Sequence, residues 1–150
     1  MNNNYLAYGE KILLTLWVGS MWFAGYVVAP VLFQLLDKTT AGAVAGQIFS
    51  VNSYLGLFCG LFLMLSLLFK PVEDRAGHFR LWIIILMLCV ILAGQFILAP
   101  MMVELKQAGI IEGSENASQF GRLHGVSSVL FLINSLLGLV LVIVGIRPGR

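Results

Sequence analysis

Charge is what this chain has least of. Nine lysines and arginines and seven aspartates and glutamates make up 11% of its 150 residues, where a soluble domain carries about 25%. So thin a polar complement cannot cover a globule in water. A net charge of +2, with no basic strip interleaved with aromatics, excludes nucleic acid as a partner. Two cysteines, Cys59 and Cys89, stand outside any Cys-x-x-Cys spacing, which excludes a disulfide framework and reads as two reduced thiols. Only two histidines are present, His78 and His124, neither with a second ligand at helical spacing, so no metal site is expected. Gly-rich phosphate loops and nucleophile elbows are missing. No carboxylate is expected inside a span, which argues against the buried acid relay of a coupled transporter.

What is abundant is apolar sequence, 59% of the chain with a mean hydropathy of +0.95. Four runs, about 11–36, 40–69, 81–103 and 122–146, meet the roughly 20 residues that a helix needs to cross about 30 Å of hydrocarbon. They lack two-residue alternation, so helices are expected rather than barrel strands. The fold class is therefore an all-α integral membrane protein, a four-helix transmembrane bundle in one domain. The first run is longer than the roughly 7–15 residues of a signal-peptide core and opens on Glu10-Lys11, so a retained anchor is expected. With the N-terminus inside, the inner side collects Lys11, Lys70, Arg75, Arg80, Arg147 and Arg150, against Lys38, Lys106 and Arg122 outside. That bias places both termini in the cytoplasm, with basic loop residues on the anionic leaflet.

Within the spans, proline and glycine carry the pattern. Pro30 and Pro100 each follow an alanine and predict kinks, and Asp37-Lys38-Thr39 predicts a short turn with Thr40 as N-cap. Gly42, Gly46, Gly56 and Gly60 share one face of the second helix in small-xxx-small pairs, and Gly121/Gly125 repeat the spacing in the fourth. Such pairs allow close helix packing, inside the bundle or between chains. Tyr26-Val27-Val28-Ala29-Pro30 aligns with Phe96-Ile97-Leu98-Ala99-Pro100 at a shift of 70 residues. At a shift of 71, Phe49 meets Phe120 and Ser53 meets His124. Two tandem helical hairpins, related by an axis along the membrane normal, are the expected architecture.

The chemistry-bearing stretch is Phe120-Gly121-Arg122-Leu123-His124-Gly125-Val126-Ser127-Ser128 at the mouth of the last span. Ionisable groups at membrane depth point to function, so Arg122, His124 and Ser128 form the candidate outer ligand or partner site, with His124 expected to face the bundle. Arg122 at a helix start opposes the helix dipole and calls for a carboxylate or a headgroup phosphate, or else snorkels as an anchor. Gln34, Asn52 and Gln95 are polar groups within the spans. Gln95 precedes Phe96, whose carbonyl Pro100 frees, and reads either as part of a polar pocket or as an interhelical amide bond. Asn116 or Ser118 is expected to cap the fourth helix.

Leu16-Trp17-Val18-Gly19-Ser20-Met21-Trp22-Phe23, Val28-Ala29-Pro30-Val31-Leu32-Phe33, Ala41-Gly42, Ile48-Phe49 and Phe120-Gly121-Arg122-Leu123-His124-Gly125 resemble a bacterial four-span family of unknown function grouped with transmembrane protein 205. The resemblance covers nearly the whole chain and implies a bacterial inner-membrane protein, without an assigned activity or catalytic residue. A looser similarity to four-helix membrane haem proteins meets the lack of histidine in the first span.

The expectation is a non-enzymatic accessory or binding protein whose partners are membrane lipid, a second copy or a larger membrane protein. An oligomeric exporter of a small molecule or metal complex is the first alternative. A haem- or quinone-dependent oxidoreductase with His124 as the axial ligand is the second; no cofactor is predicted.

Overall fold

The computed structural model describes residues 3–69, 75–111 and 113–146. Its first helix runs Asn3–Phe23, widens into a π turn at Ala24–Val28 and continues as Ala29–Leu35. The second is Lys38–Leu68. The third repeats the plan of the first, with Arg75–Ala93, a π turn at Gly94–Leu98 and Ala99–Gln107, and the fourth is Glu115–Ile146. Each contains a stretch of 31 residues apolar enough to cross a membrane. At 1.5 Å per residue that is about 46 Å, longer than the hydrocarbon core, so the ends reach into the headgroups. Phe58, Leu61, Trp82, Val129 and Ile143 are exposed on the outside of the bundle, a surface suited to lipid rather than water. The chain is a multi-pass membrane protein.

Successive helices are antiparallel, and each packs on two neighbours: the first and third both touch the second and fourth. The start of the first helix and the end of the fourth share one end, here called the terminal end, and the turns that join the helices within each hairpin share the other, the distal end. The Lys70–Asp74 part of the polar loop, with its proline stop, lies outside the described residues, as do Glu112, Arg147 and Arg150.

The two π turns have a common cause. Pro30 and Pro100 have no N–H to donate. In each helix the preceding alanine bonds five residues back, Ala29 to the Ala24 carbonyl and Ala99 to the Gly94 carbonyl. The widened turn takes up the extra residue before the proline. The expected kinks are thus π turns at positions 70 residues apart. The same shift relates the buried faces: Leu14, Trp17, Val18 and Met21 answer to Ile84, Met87, Leu88 and Ile91, all buried.

The second and fourth helices follow another register. Cys59, Gly60, Leu63 and Ser66 are buried, and so are Asn134, Ser135, Gly138 and Leu141, each 75 residues later. The shift of 71 is therefore one turn short. The connection at 108–114 is five residues longer than the turn at 36–37, which accounts for the slip.

The core lies in the terminal half. Leu14, Trp17 and Met21 pack against Cys59, Leu63, Ile84, Met87 and Leu141. Gly56 and Gly60 make this possible: a Cβ on Gly56 would stand 2.7 Å from Trp17 Nε1, and one on Gly60 2.7 Å from Leu88 Cδ2 and 2.9 Å from the Trp17 ring. The pair makes room for an indole, not for a second backbone. Within the single chain a Cβ on Gly46, Gly121 or Gly125 would meet nothing within 4 Å, and one on Gly42 only Lys106 Nζ at 3.9 Å, so of the two expected kinds of packing the one inside the bundle is made by Gly56 and Gly60.

The caps fall elsewhere than expected. Asp37, not Thr40, starts the second helix, its carboxylate accepting from the N–H groups of Thr39 and Thr40, both at 3.0 Å. Hydrogen bonds from Thr40, its side chain first, hold the Asp37 carboxyl below the ordinary carboxylate range. Ser114 rather than Asn116 or Ser118 caps the fourth helix, its Oγ accepting from Ala117 N–H at 3.2 Å. Asn116 Nδ2 turns back to the carbonyl of Gly109. Gly109 and Gly113, at φ 89° and 82°, supply the left-handed turns of that loop.

Candidate functional site

Residues two apart on a helix point about 200° apart. Arg122 and His124 therefore leave the fourth helix on opposite flanks, and both are exposed. His124 is exposed, although it lies on the helix face that seven residues later carries Phe131 inward onto Tyr26 and Phe49. Its imidazole stacks on Phe120, with centroids 6.2 Å apart and planes 10° from parallel. Lys106, from the end of the third helix, places its ammonium 5.4 Å from the centroid of that Phe120 ring, a cation–π contact. Ser128 is exposed and donates to the carbonyl of His124 at 2.9 Å, within its own helix. The site thus consists of a column, Lys106 with Phe120 and His124, while Arg122 stands apart.

Beside this column lies an open cleft of about 260 Å³ between the third and fourth helices, lined by Met101, Glu104, Leu105, Ala108, Gln119 and Leu123. It is mainly apolar, with one carboxylate and one amide. Gln119 and Leu123 lie one turn apart on the face turned to the third helix, which is why Phe120 and His124 sit at its edge.

Deeper down, Gln95 and Ser50 bond to one another across the third and second helices, Gln95 Nε2 donating to Ser50 Oγ at 2.9 Å. Near them stands an aromatic cluster. Phe131 of the fourth helix meets Tyr26 at 5.9 Å and Phe49 at 5.3 Å, and Trp22 stands 5.4 Å from Tyr26. The Phe131 ring lies against Gly25, where a Cβ would collide with it. Trp22 Nε1 donates to the Ser135 carbonyl at 3.2 Å. Asn52 is half-buried, with its Oδ1 buried and unpartnered. Gln34 is exposed near the distal end, apart from this cluster.

One carboxylate does enter a span, contrary to expectation. Glu10 is buried and accepts from Ser66 Oγ of the second helix. The signal for it was present: Glu10, Leu14, Trp17, Met21 and Ala24 recur at four- and three-residue steps and are all buried. At the 70-residue shift its counterpart is Arg80, partly buried, with a guanidinium nitrogen 3.8 Å from where a Gly145 Cβ would lie and with its Nε buried and unpartnered. Its position at the end of the fourth helix suits the negative pole of the helix dipole.

Four apolar helices, a packed terminal half and a polar column at the distal end define a polytopic membrane protein. The family follows from sequence similarity. Residues 12–110 match the model described as a domain of unknown function, DUF4149, and the chain belongs to that family. The match takes in the first helix from Ile12 and the whole of the second and third, and leaves the fourth outside. An uncharacterized protein of Aquifex aeolicus is 34% identical over 134 residues, covering 88% of this chain and 92% of that one. No solved structure matches.

Proposed function

We propose that the protein is an accessory or binding protein of the bacterial inner membrane, without catalytic chemistry of its own, that engages a ligand or partner on its outer side. The observation that carries the reading is the Lys106, Phe120 and His124 column at the distal end, exposed beside an apolar cleft. The lysine and arginine bias supports cytoplasmic termini and an outward-facing distal end. The matched π turns and buried faces at a 70-residue shift support two tandem hairpin repeats. The motifs shared with the transmembrane protein 205 group support a place beside it.

The test compares single variants in a phenotype assay of the native host. Lys106→Ala and His124→Ala impair function, while His78→Ala, in the third helix near the terminal end, leaves it intact. Arg122→Ala falls between, because that side chain serves the opposite flank. Equal behaviour of all four variants contradicts the reading. Purification from native membrane, with identification of the lipid, pigment or protein that accompanies the chain, then separates partner from ligand.

A further inference from the structure

We infer that the distal half is a cleft between the two hairpins that holds one anionic phospholipid, its phosphate at Lys106 and His124 and its chain directed toward Phe131. This rests on the outer-side binding reading and names the ligand class for it.

The cleft follows from how the helices pack. Close backbone contact between the hairpins runs through Asn3–Phe23 on the fourth helix and Arg75–Ala93 on the second, below the π turns. Beyond those turns close backbone contact is kept within each hairpin, Ala29–Leu35 on the second helix and Ala99–Gln107 on the fourth, the latter pair flanking the open cleft that Met101, Glu104 and Leu123 line. Among the described residues neither of these distal segments contains a buried residue, in the fourth helix none before Asn134 is buried, and at the distal end of the second helix only the small Ala41 and Ala45 are. The floor is marked by the cross-hairpin contacts of Phe131 with Phe49 and Tyr26 and by the bond of Gln95 to Ser50.

The wall and rim identify the occupant. His124 precedes Phe131 by seven residues on the same face, about 10 Å above it. Around it the wall is open, since a Cβ on Gly46, Gly121 or Gly125 would meet nothing within 4 Å. Ser128 spends its hydroxyl on the His124 carbonyl. At the rim, Lys106 reaches from the third helix over Phe120 to within 3.9 Å of where a Gly42 Cβ would lie. No carboxylate among the described residues is bonded to it. A cation above apolar, glycine-lined walls that open sideways into lipid complements an anionic headgroup with a hydrocarbon chain. A soluble anion would have no use for the walls, and a zwitterionic headgroup would gain less from the cation.

The test uses the full chain in phosphatidylcholine vesicles with a trace of nitroxide-labelled phosphatidylglycerol or phosphatidylcholine, reading the motionally restricted fraction by electron paramagnetic resonance. The expected result is a preference of about fivefold for phosphatidylglycerol, the factor for one surface cation. Lys106→Gln removes it, while Lys106→Arg and Arg122→Gln keep it. Gly121→Phe, which fills the wall and leaves every charge in place, also removes it. The inference is overturned by equal restriction of both lipids, by a preference that survives Lys106→Gln or Gly121→Phe, or by its abolition by inorganic phosphate. A Lys106→Ala phenotype without any lipid preference would leave the outer-side binding reading standing and sink this one. So would a preference that tracks cross-linked dimers, which would hand the cleft to a second copy.

Discussion

The terminal and distal halves of this bundle are built from the same four helices but solve different problems. In the terminal half, Trp17, Met21, Met87 and Leu141 fill the space between all four helices, and two glycines are cut away to admit one indole. In the distal half the fillers are an aromatic cluster, one amide–hydroxyl pair and the small buried side chains of Ala41 and Ala45, and Gly46, Gly121 and Gly125 face nothing. The π turns mark the change. The same residue type therefore means opposite things in the two halves: Gly56 and Gly60 are packing residues, whereas Gly121 and Gly125 are open wall.

That contrast can be broken most sharply at Trp17. Removing a fully buried aromatic costs about 3–5 kcal/mol, so Trp17→Ala is expected to lower the melting temperature in mild detergent more than any distal substitution. Next comes Gly60→Leu, which drives a side chain into Leu88 and Trp17 and costs about 1–3 kcal/mol by overpacking. Gly46→Leu in the same helix stays within about 0.5 kcal/mol. Equal losses at the two glycines, in the same thermal assay, would erase the distinction between the halves. Gln95→Leu is expected to cost about 0.6 kcal/mol, with Ser50→Ala adding little beyond it in a double-mutant cycle; additive losses would mean that the pair is not one unit.

The smallest effect is electrostatic and sits at the distal turn. Asp37 has a depressed pKa in the folded chain. Its contribution to stability is complete above the ordinary value of 3.8 and is lost as pH falls through the lower folded value. Acid melts of Asp37→Asn should lack that part of the pH dependence, and an unchanged acid limb would remove Asp37 as a cap of consequence.

The spans were legible in the sequence because hydrocarbon thickness sets a length that apolar runs either meet or miss. The paired Ala-Pro steps were legible too, and they fall one residue after two π turns of the same register. The form of the distortion was not, since it depends on which carbonyl the alanine N–H selects. The register of the second and fourth helices was obscured by the longer loop at 108–114. Glu10 lies one residue before the first apolar run, yet its four- and three-residue spacing to Leu14 and Trp17 marks it as inward. For the candidate site, the stretch from Phe120 to Ser128 held two of the column's three members. Arg122 was grouped with His124 by nearness in sequence, which a helix converts into divergence. Lys106 carried no local signal, because only the fold brings the end of the third helix over Phe120.

The most direct measurement of the two-halves account is thiol cross-linking in membranes, on a background with Cys59 and Cys89 replaced. Leu14→Cys with Gly145→Cys reports the terminal half, where a Cβ on Gly145 would stand 3.3 Å from Leu14 Cδ2; Val31→Cys with Gly125→Cys reports the same helix pair in the distal half. A short thiol cross-linker should join the first pair rapidly and the second scarcely at all. Equal yields would mean that the hairpins close on each other along their whole length.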